Sequence, residues 1–375
     1  MLVAVLFANY GPYHLARISS FYKSCHQVGW QVVGIELART ETQYPWKVEV
    51  NNLPFSIIAA VKEQELEQTQ PIKLIQQLSS VLNQVKPDIL AIAGYSHPAM
   101  ISALLWCILH RKPAILLSES KEDDAPRVGW KETFKKSIIK RYKAALVGGQ
   151  PHKRYLIQLG MAPDAIFPGY DVVGNEVFHP GKIRLLPKPI DRPYFLTSNR
   201  FISRKNLSFL LYSYAEYRQI AGSNSCDLVL CGDGELRSQL EHYITELDLQ
   251  NFVHLPGFLQ QEQLLPYLAH ATCFIHASLQ EQWGLVVNEA MAAGLPVLVS
   301  NRCGCFEDLV IEGVNGFGFD PENSQQITDL MLKITSGEID LVKIGHTAFE
   351  HIQKFSPDYF AQGLMQAVEY TLTHR

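Results

Sequence analysis

Two glutamates, Glu281 and Glu289, flank a short run whose residue types could bind an anion. The seven residues between them include Gly284 and then Leu-Val-Val-Asn. A helix that begins near Gly284 places Glu289 in its second turn and leaves Glu281 in the preceding loop. The first N–H groups of such a helix lack intrahelical partners, and the helix dipole adds positive potential. The pattern therefore predicts a helix start that binds an anion such as a diphosphate.

A second candidate is a basic segment, residues 199–206, that follows a short apolar run. It contains Arg200 and Lys205, five residues apart. Arginine offers a planar fork of donors and lysine a point charge, so both could bind phosphate. A solvated basic loop is the alternative. The position directly after a predicted strand favours phosphate binding.

The elements that must position these residues are short apolar runs alternating with helical patterns. The predicted strands fall in two series, residues 2–7, 31–35, 89–93, 114–117 and 144–147, then residues 193–197, 227–231, 253–255, 273–275 and 296–299. Such strands predict parallel sheets covered by helices on both faces. Ligands of these sheets bind beyond the carboxyl ends of the strands, which is where both candidates lie.

The length of 375 residues suits about two domains, and a proline-rich segment separates the two series of strands. We predict a first domain over residues 1–180, a linker over 181–192 and a second domain over 193–355. A helix over residues 356–375 is expected to return to the first domain.

Composition excludes several classes of protein. Hydrophobic residues make up 47% of the chain and charged residues 19%, which rules out a disordered chain. The net charge of −4 argues against nucleic-acid binding. Seven scattered cysteines without a C-x-x-C pair argue against disulfides and zinc and predict a cytoplasmic protein. The uncharged stretch 89–109 could span a bilayer, but the turn at residues 94–98 predicts a strand followed by a helix.

Further loops complete an ordered set in the second half. They are Gly232-Asp-Gly-Glu235, Leu255-Pro-Gly257-Phe258, Gly304, Glu307 and Gly313-Val-Asn-Gly316-Phe317. Together with the basic pair and the two glutamates, this order over residues 193–320 resembles glycosyltransferase family 4, whose members use nucleotide sugars. In the first half of the chain, the resemblance rests on the glycine turn at Gly11 and on the alternation of predicted strands and helices. It implies an α/β GT-B fold, two Rossmann-like parallel-sheet domains facing a central cleft.

The resemblance also implies roles for residues of the second domain. Arg200 and Lys205 would bind the diphosphate, Glu289 the donor ribose and Glu281 the donor sugar. The backbone of Gly284, Leu285 and Val286 would hold the phosphates. The other candidates for donor binding are Gly11, Gly232, Gly257 and Phe258. Trp283 stands where the family often has phenylalanine.

The first domain departs further from the family pattern. Members commonly have a histidine or aspartate after the strand that precedes the basic helix, where this chain has Leu-Ser-Glu119-Ser. Either Glu119 or His97, which follows the previous strand, could take that place. The candidate catalytic residues are therefore Glu281, Arg200, Lys205, Glu119 and His97.

Residues 127–143 form a basic segment with one glutamate. Its apolar residues Trp130, Phe134, Ile138 and Tyr142 recur every four residues, which predicts an amphipathic helix. This stripe could pack on its own sheet. Alternatively, the helix could attract an anionic membrane surface or a phosphate-bearing lipid acceptor. The basic residues are Arg127, Lys131, Lys135, Lys136, Lys140, Arg141 and Lys143.

The combined prediction is a retaining glycosyltransferase of polysaccharide biosynthesis. It would move a sugar from a nucleoside-diphosphate donor, UDP-linked first and GDP- or ADP-linked as alternatives, to a hydroxyl of a glycan, lipid-linked or small-molecule acceptor. No permanent cofactor and no metal are expected, because cations and a helix start can neutralise the diphosphate and Asp123-Asp124 is not a D-x-D motif. A nucleotide-sugar epimerase and a non-catalytic binding subunit are the alternatives. The expected location is the cytoplasm, with attachment to the inner face of the membrane as an option.

Overall fold

The computed structural model describes residues 1–40, 46, 48–50, 52–125 and 127–374. The chain divides into two compact units. One contains Met1–Gly174 together with Phe355–Arg375, and the other contains Asn175–Lys354. Each unit has its own β-sheet, and the paired strands of both sheets are parallel.

The first sheet has seven strands in the order β3-β2-β1-β4-β5-β6-β7. They are β1 (Leu2–Phe7), β2 (Gln31–Ala38), β3 (Ser56–Val61), β4 (Ile89–Ala93), β5 (Ala114–Ser118), β6 (Ala144–Val147) and β7 (Ile166–Pro168). The connecting helices are α1 (Pro12–Gln27), α2 (Pro71–Val85), α3 (Pro98–Leu109), α4 (Gly129–Ile139) and α5 (Gln150–Gln158).

The second sheet has six strands in the order β10-β9-β8-β11-β12-β13. They are β8 (Tyr194–Ser198), β9 (Asp227–Cys231), β10 (Val253–Gly257), β11 (Cys273–His276), β12 (Val297–Ser300) and β13 (Gly316–Phe319). The helices of this unit are α6 (Pro180–Ile183), α7 (Leu207–Ala221), α8 (Arg237–Glu246), α9 (Gln261–His270), α10 (Leu285–Ala292), α11 (Phe306–Leu309), α12 (Ser324–Thr335) and α13 (Leu341–Ile352). The order reverses between β8 and β11, which makes this edge the switch point where doubly wound sheets bind ligands.

The central strands β1 and β4 of the first unit are apolar along their whole length because both faces of the sheet are covered. Leu6 of β1 packs on the side that also buries Leu78 of α2 and Leu104 of α3. The neighbouring Val5 packs on the opposite side with Phe21 of α1. Consecutive strand residues point to opposite faces, so a strand between two layers of helices needs apolar residues at every position.

The last helix, α14 (Pro357–Thr373), belongs to the first unit. It packs against α1, where the hydroxyl of Ser20 donates a hydrogen bond to Asp358. Segment 181–192 lies in the second unit, which begins at Asn175 and includes α6.

The predicted fold class, two parallel-sheet α/β domains, is confirmed. All ten predicted strands are present, but the sequence analysis missed β3, β7 and β13. β7 has only three residues and β13 contains two glycines, so neither offers a continuous apolar run, whereas β3 (Ser-Ile-Ile-Ala-Ala-Val) does. The uncharged stretch 89–109 divides into β4 and α3 as expected. Within the described part of the chain, none of the helices combines the length and apolar character needed to cross a bilayer.

Close packing of α14 on the sheet depends on Gly363. A Cβ added there would lie 2.2 Å from the carbonyl oxygen of Pro168 in β7. We predict that Gly363→Ala lowers the free energy of unfolding by about 1–3 kcal/mol, the usual cost of overpacking. Gly129→Ala is the control, because a Cβ at that position meets nothing within 4 Å. Equal denaturation midpoints for the two variants would contradict this prediction.

Candidate functional site

The basic segment after β8 is held tightly against the loop after β9. The amide of Asn199 donates to the carbonyl of Cys231 over 2.9 Å, and the amide of Phe201 donates to Asp233 over 2.8 Å. A Cβ on Gly232 would lie only 1.8 Å from the carbonyl oxygen of Asn199, and Gly232 has a φ of 135°. Glycine is therefore required here by backbone contact within the protein itself.

Arg200 and Lys205 lie at the two ends of this segment. Arg200 is half-buried, and Lys205 is buried at the end of a 3₁₀ turn, Ser203–Lys205. Asn206 then adopts a left-handed conformation with φ of 59°, and α7 begins at Leu207. The carbonyl of Arg204 accepts a hydrogen bond of 2.9 Å from the amide of Leu279, which ties this turn to the loop after β11.

The structure joins Lys205 to Glu281, two residues that the sequence analysis assigned to different parts of a donor. The Lys205 ammonium donates to Oε2 of Glu281. Ser278 Oγ and His276 Nε2 each lie 3.3 Å from the same oxygen. The sequence analysis missed His276 and Ser278. The available signal was the pair of polar residues that follows an apolar strand and precedes Glu281.

These contacts set the charges of the cluster. Burial opposes ionisation of Glu281, but the hydrogen bond with His276 and the charge of Lys205 outweigh it and hold the pKa of Glu281 well below its usual range. Burial lowers the pKa of His276, and its hydrogen bond to Glu281 offsets this only in part. The cluster therefore contains a carboxylate, an ammonium and a neutral imidazole at neutral pH.

The predicted helix start at Gly284 is present. Gly284 has φ of 110° and ψ of 60°, a conformation that favours glycine, and α10 follows from Leu285. Leu285 and Val286 occupy its first turn, and the buried Glu289 lies in the second turn. A Cβ on Gly284 would contact His276 Nε2 at 3.4 Å and Cys305 Sγ at 3.5 Å.

A turn after β12 braces the loop that carries Glu281. The amide of Gly304 donates to the carbonyl of Glu281 over 3.1 Å, and the amide of Cys305 donates to the carbonyl of Trp283 over 3.1 Å. The indole of Trp283 is fully buried and donates to Oδ1 of Asn288 over 2.8 Å. The indole N–H of Trp283 thus has an acceptor on α10. A phenylalanine at this position has no N–H and would not need one.

Gly257 is the last residue of β10, and Phe258 follows the strand. The carbonyl of Gly257 accepts a hydrogen bond of 2.8 Å from the amide of Gly232, so the loops after β9 and β10 are joined. Gly257 itself has a φ of 89°. The side chain of Phe258 is 40% exposed, which leaves an apolar surface beside this backbone contact.

In the first unit, Gly11 caps α1, and its amide donates to Nδ1 of His14 over 3.3 Å. His14 is half-buried, and desolvation of its ring lowers the pKa of this imidazole to about 3, so it is neutral. His97 plays a similar part at α3, where its Nδ1 accepts a hydrogen bond of 3.2 Å from the amide of Ala99. Burial lowers the pKa of His97 as well.

Glu119 lies beside charged residues that the sequence analysis missed. The negative charge of Glu119 acts on Asp171, whose carboxyl lies 3.6 Å from the buried guanidinium of Arg17. Nε of Arg17 also donates to the carbonyl of Val172 over 3.0 Å. Burial, followed by the negative charge of Glu119, raises the pKa of Asp171 well above its usual range. Asp171 therefore holds a proton that can be donated to Glu119.

The predicted helix over residues 127–143 is shorter in the structure, since α4 ends at Ile139 and Tyr142 lies beyond it. The predicted apolar stripe divides in two. Ile138 and Tyr142 are buried against the sheet, whereas Trp130 is 70% exposed and Phe134 55% exposed. Glu132 lies 3.3 Å from Arg127 and 2.8 Å from Lys135, so these two cations have an internal partner. The remaining basic residues are exposed, namely Lys131, Lys136, Lys140, Arg141 and Lys143.

The acidic run before α4 is engaged with a nearby cation. Lys121 lies 2.5 Å from Asp123 and 3.8 Å from Asp124. Across the described ranges, no three side chains among His, Cys, Asp and Glu come close enough to hold a metal ion together.

Comparison with known proteins relates the second unit to sugar-transferring enzymes. A family model described as "Glycosyl transferases group 1" matches residues 182–351. The amylovoran biosynthesis glycosyltransferase AmsK of Erwinia amylovora is 30% identical over 155 residues, which cover 40% of this chain and 37% of the relative. Alpha-1,3/1,6-mannosyltransferase ALG2 of Mus musculus is 28% identical over 224 residues, 55% of this chain and 52% of the relative. The matched segments thus span about a third to a half of these relatives.

Among solved structures, Anabaena HepE in complex with UDP and glucose superposes with a TM-score of 0.77 at 18% identity, over 98% of this chain and 99% of that chain. This likeness establishes the GT-B fold that the sequence analysis predicted.

The hydrogen bond between Trp283 and Asn288 leads to a stability prediction. Trp283→Phe removes the donor to a fully buried carbonyl, which costs about 1–3 kcal/mol of unfolding free energy. Trp106→Phe is the matched control, because Trp106 donates over the same 2.8 Å to Asn83, whose side chain is exposed to water. Chemical denaturation should show a larger loss for Trp283→Phe. Equal losses would contradict a specific role for the buried pair.

Proposed function

We propose that this protein is a glycosyltransferase whose second unit binds a nucleoside-diphosphate sugar. The observation that carries the proposal is the meeting of Lys205, Glu281 and the start of α10 at the switch point between β8 and β11. This edge of a parallel sheet is the usual ligand site of the architecture. The group 1 glycosyl transferase match over residues 182–351 includes all three features and supports the proposal.

The chemistry follows from where charge develops. As the bond between the sugar's anomeric carbon and the diphosphate breaks, the sugar becomes positive and the diphosphate leaves as an anion. Arg200, Lys205 and the N–H groups of Leu285 and Val286 would stabilise the leaving group. Glu281 would bind the sugar and Glu289 the ribose. Arg200, Lys205 and the start of α10 can together neutralise a diphosphate without a metal ion.

The donor is proposed to be a UDP-sugar, with GDP- and ADP-sugars as alternatives. HepE, which shares the fold, was solved with UDP and glucose. The resemblance to family 4 implies retention of the anomeric configuration.

The acceptor is proposed to be a hydroxyl of a glycan, a lipid-linked sugar or a small molecule, bound by the first unit. We favour Glu119 over His97 as the proton acceptor, because Nδ1 of His97 is engaged in capping α3. In a retaining reaction, a phosphate oxygen of the donor would help to remove the acceptor proton.

The two alternatives are less well supported. The relatives named above are transferases rather than epimerases. A non-catalytic subunit would not need to keep the phosphate-binding cations together with both glutamates. An epimerase would interconvert free nucleotide sugars without an acceptor, and this is the assay that separates it from a transferase.

Arg200 is the cleanest probe of the phosphate site, because Lys205 also neutralises Glu281. We predict that Arg200→Ala lowers kcat by about 100-fold at saturating donor, the scale expected for loss of one preorganised donor to a leaving anion. The melting temperature should be unchanged. Arg184→Ala removes an exposed cation of the same unit and should retain full activity. Unchanged kcat in Arg200→Ala would remove this residue from the site.

Metal independence has its own test. Transfer from the donor should continue in excess EDTA, because side chains and a helix start act on the diphosphate. Loss of activity in EDTA that Mg²⁺ or Mn²⁺ restores would contradict this part of the proposal.

We also propose that the N-terminal half of α4 contacts an anionic membrane surface. Trp130 and Phe134 are exposed one helical turn apart, and exposed lysines accompany them. An aromatic pair next to basic residues suits the boundary between headgroups and acyl chains. Each lysine near such a surface contributes about 1 kcal/mol, and salt screens the attraction.

The variant Lys131→Glu/Lys136→Glu/Lys140→Glu should abolish cosedimentation with phosphatidylserine vesicles at low salt. The control Lys23→Glu/Lys62→Glu/Lys73→Glu makes the same charge change at exposed lysines on other elements and should retain more binding. Wild-type protein should also show a blue shift of Trp130 fluorescence on these vesicles. Absence of vesicle binding by the wild type at low salt would end the membrane proposal.

A further inference from the structure

Oε2 of Glu281 is contacted from three directions. Lys205 approaches it from the turn before α7, His276 from the end of β11, and Ser278 from the loop that follows. His276 Nε2 and Ser278 Oγ are also 3.4 Å from each other. Lys205 and Glu281 have roles in the proposed function, whereas His276 and Ser278 have none.

Donor binding must redistribute these contacts. A bound diphosphate brings two negative charges close to Lys205, the cation that also pairs with Glu281. When Lys205 turns toward a phosphate, Glu281 loses part of its attraction to that side chain. A carboxylate that binds a sugar hydroxyl must nevertheless stay in one position, because the strength of a hydrogen bond falls steeply with misalignment. Residues that contact Glu281 but not the phosphates can provide this restraint.

We propose that His276 is a positioning residue that holds Glu281 for the donor sugar, by donating its Nε2–H to Oε2 and leaving Oε1 for a sugar hydroxyl. This inference rests on the proposed function of the second unit. Ser278 supports the same arrangement, since its hydroxyl lies within reach of both His276 and Glu281.

The surroundings of His276 define its protonation state. The side chain is fully buried, and Nδ1 has no hydrogen-bond partner among the residues that the structure describes. A proton on Nδ1 would create a buried, unpaired N–H next to the charge of Lys205. The other ionisable groups at this position are Glu281 and the buried thiol of Cys305, which lies beside Gly284. The arrangement therefore requires the neutral tautomer with its proton on Nε2.

The neutral state has a functional advantage. A neutral imidazole donates one hydrogen bond to Glu281 and adds no positive charge beside Lys205. The Lys205 ammonium can therefore turn toward the phosphates. The contribution of His276 should then appear in the binding of the sugar and not in the binding of the nucleotide.

Calorimetry with UDP and UDP-glucose tests this separation. His276→Met removes the donor N–H, whereas His276→Gln retains one at a similar reach. We expect His276→Met to bind UDP as the wild type does and to weaken UDP-glucose by roughly tenfold or more, the effect of losing a hydrogen bond to a charged group. His276→Gln should recover most of this loss. Equal weakening of both ligands, or no recovery by glutamine, would overturn the inference.

Nuclear magnetic resonance of wild-type protein labelled with ¹⁵N-histidine tests this hydrogen bond directly. The measurement needs no nucleotide sugar and does not depend on the stability of a variant for its main observation. The His276 signal, assigned by its absence in His276→Gln, should report a neutral ring protonated at Nε2 and should not titrate around neutral pH. A ring protonated at Nδ1, or one that titrates there, would overturn the inference. If wild-type protein does not bind UDP-glucose, this ligand is not the donor of the proposed reaction, and the resonance measurement still decides the role of His276.

Discussion

The ion pair between Lys205 and Glu281 is the contact on which the second unit's site depends. The two residues come from segments 76 positions apart, one after β8 and one after β11. These strands are neighbours only because the strand order reverses between them. Loss of one partner from a nearly buried pair costs about 3–5 kcal/mol, so the pair holds the loops at this switch point in place.

Close backbone contacts provide the rest of the framework. Gly232 allows the loop after β9 to touch the carbonyl of Asn199, and Gly257 accepts a hydrogen bond from Gly232. Gly304 and Cys305 connect the turn after β12 to the loop of Glu281 and Trp283. Loops from five strands are thereby joined without a ligand, which fits a site that is preorganised for a leaving anion.

Sequence patterns predicted the parts of this arrangement that depend on local order. Apolar runs indicated ten of the strands, and Gly284 indicated the start of α10, because a left-handed residue before a helix favours glycine. The same reasoning missed β13, whose sequence Gly-Phe-Gly-Phe contains two glycines and no continuous apolar run.

Contacts between distant segments could not be predicted in this way. The pairing of Lys205 with Glu281 and the electrostatic interaction between Glu119 and Asp171 depend on the register of neighbouring strands and on side-chain direction. The apolar stripe around α4 is a further example. Its four-residue spacing predicted one apolar face, but the spacing could not predict that Trp130 would be exposed and not packed on the sheet.

Binding of UDP and UDP-glucose to Glu281→Gln tests the central claim most directly. If Glu281 restrains Lys205 and also binds the sugar, glutamine should free the ammonium for the diphosphate. UDP should then bind at least as tightly as to the wild type, while UDP-glucose loses its additional affinity. A variant that remains folded in the assay and binds both ligands more weakly than the wild type, by the same factor, would contradict this account of the site.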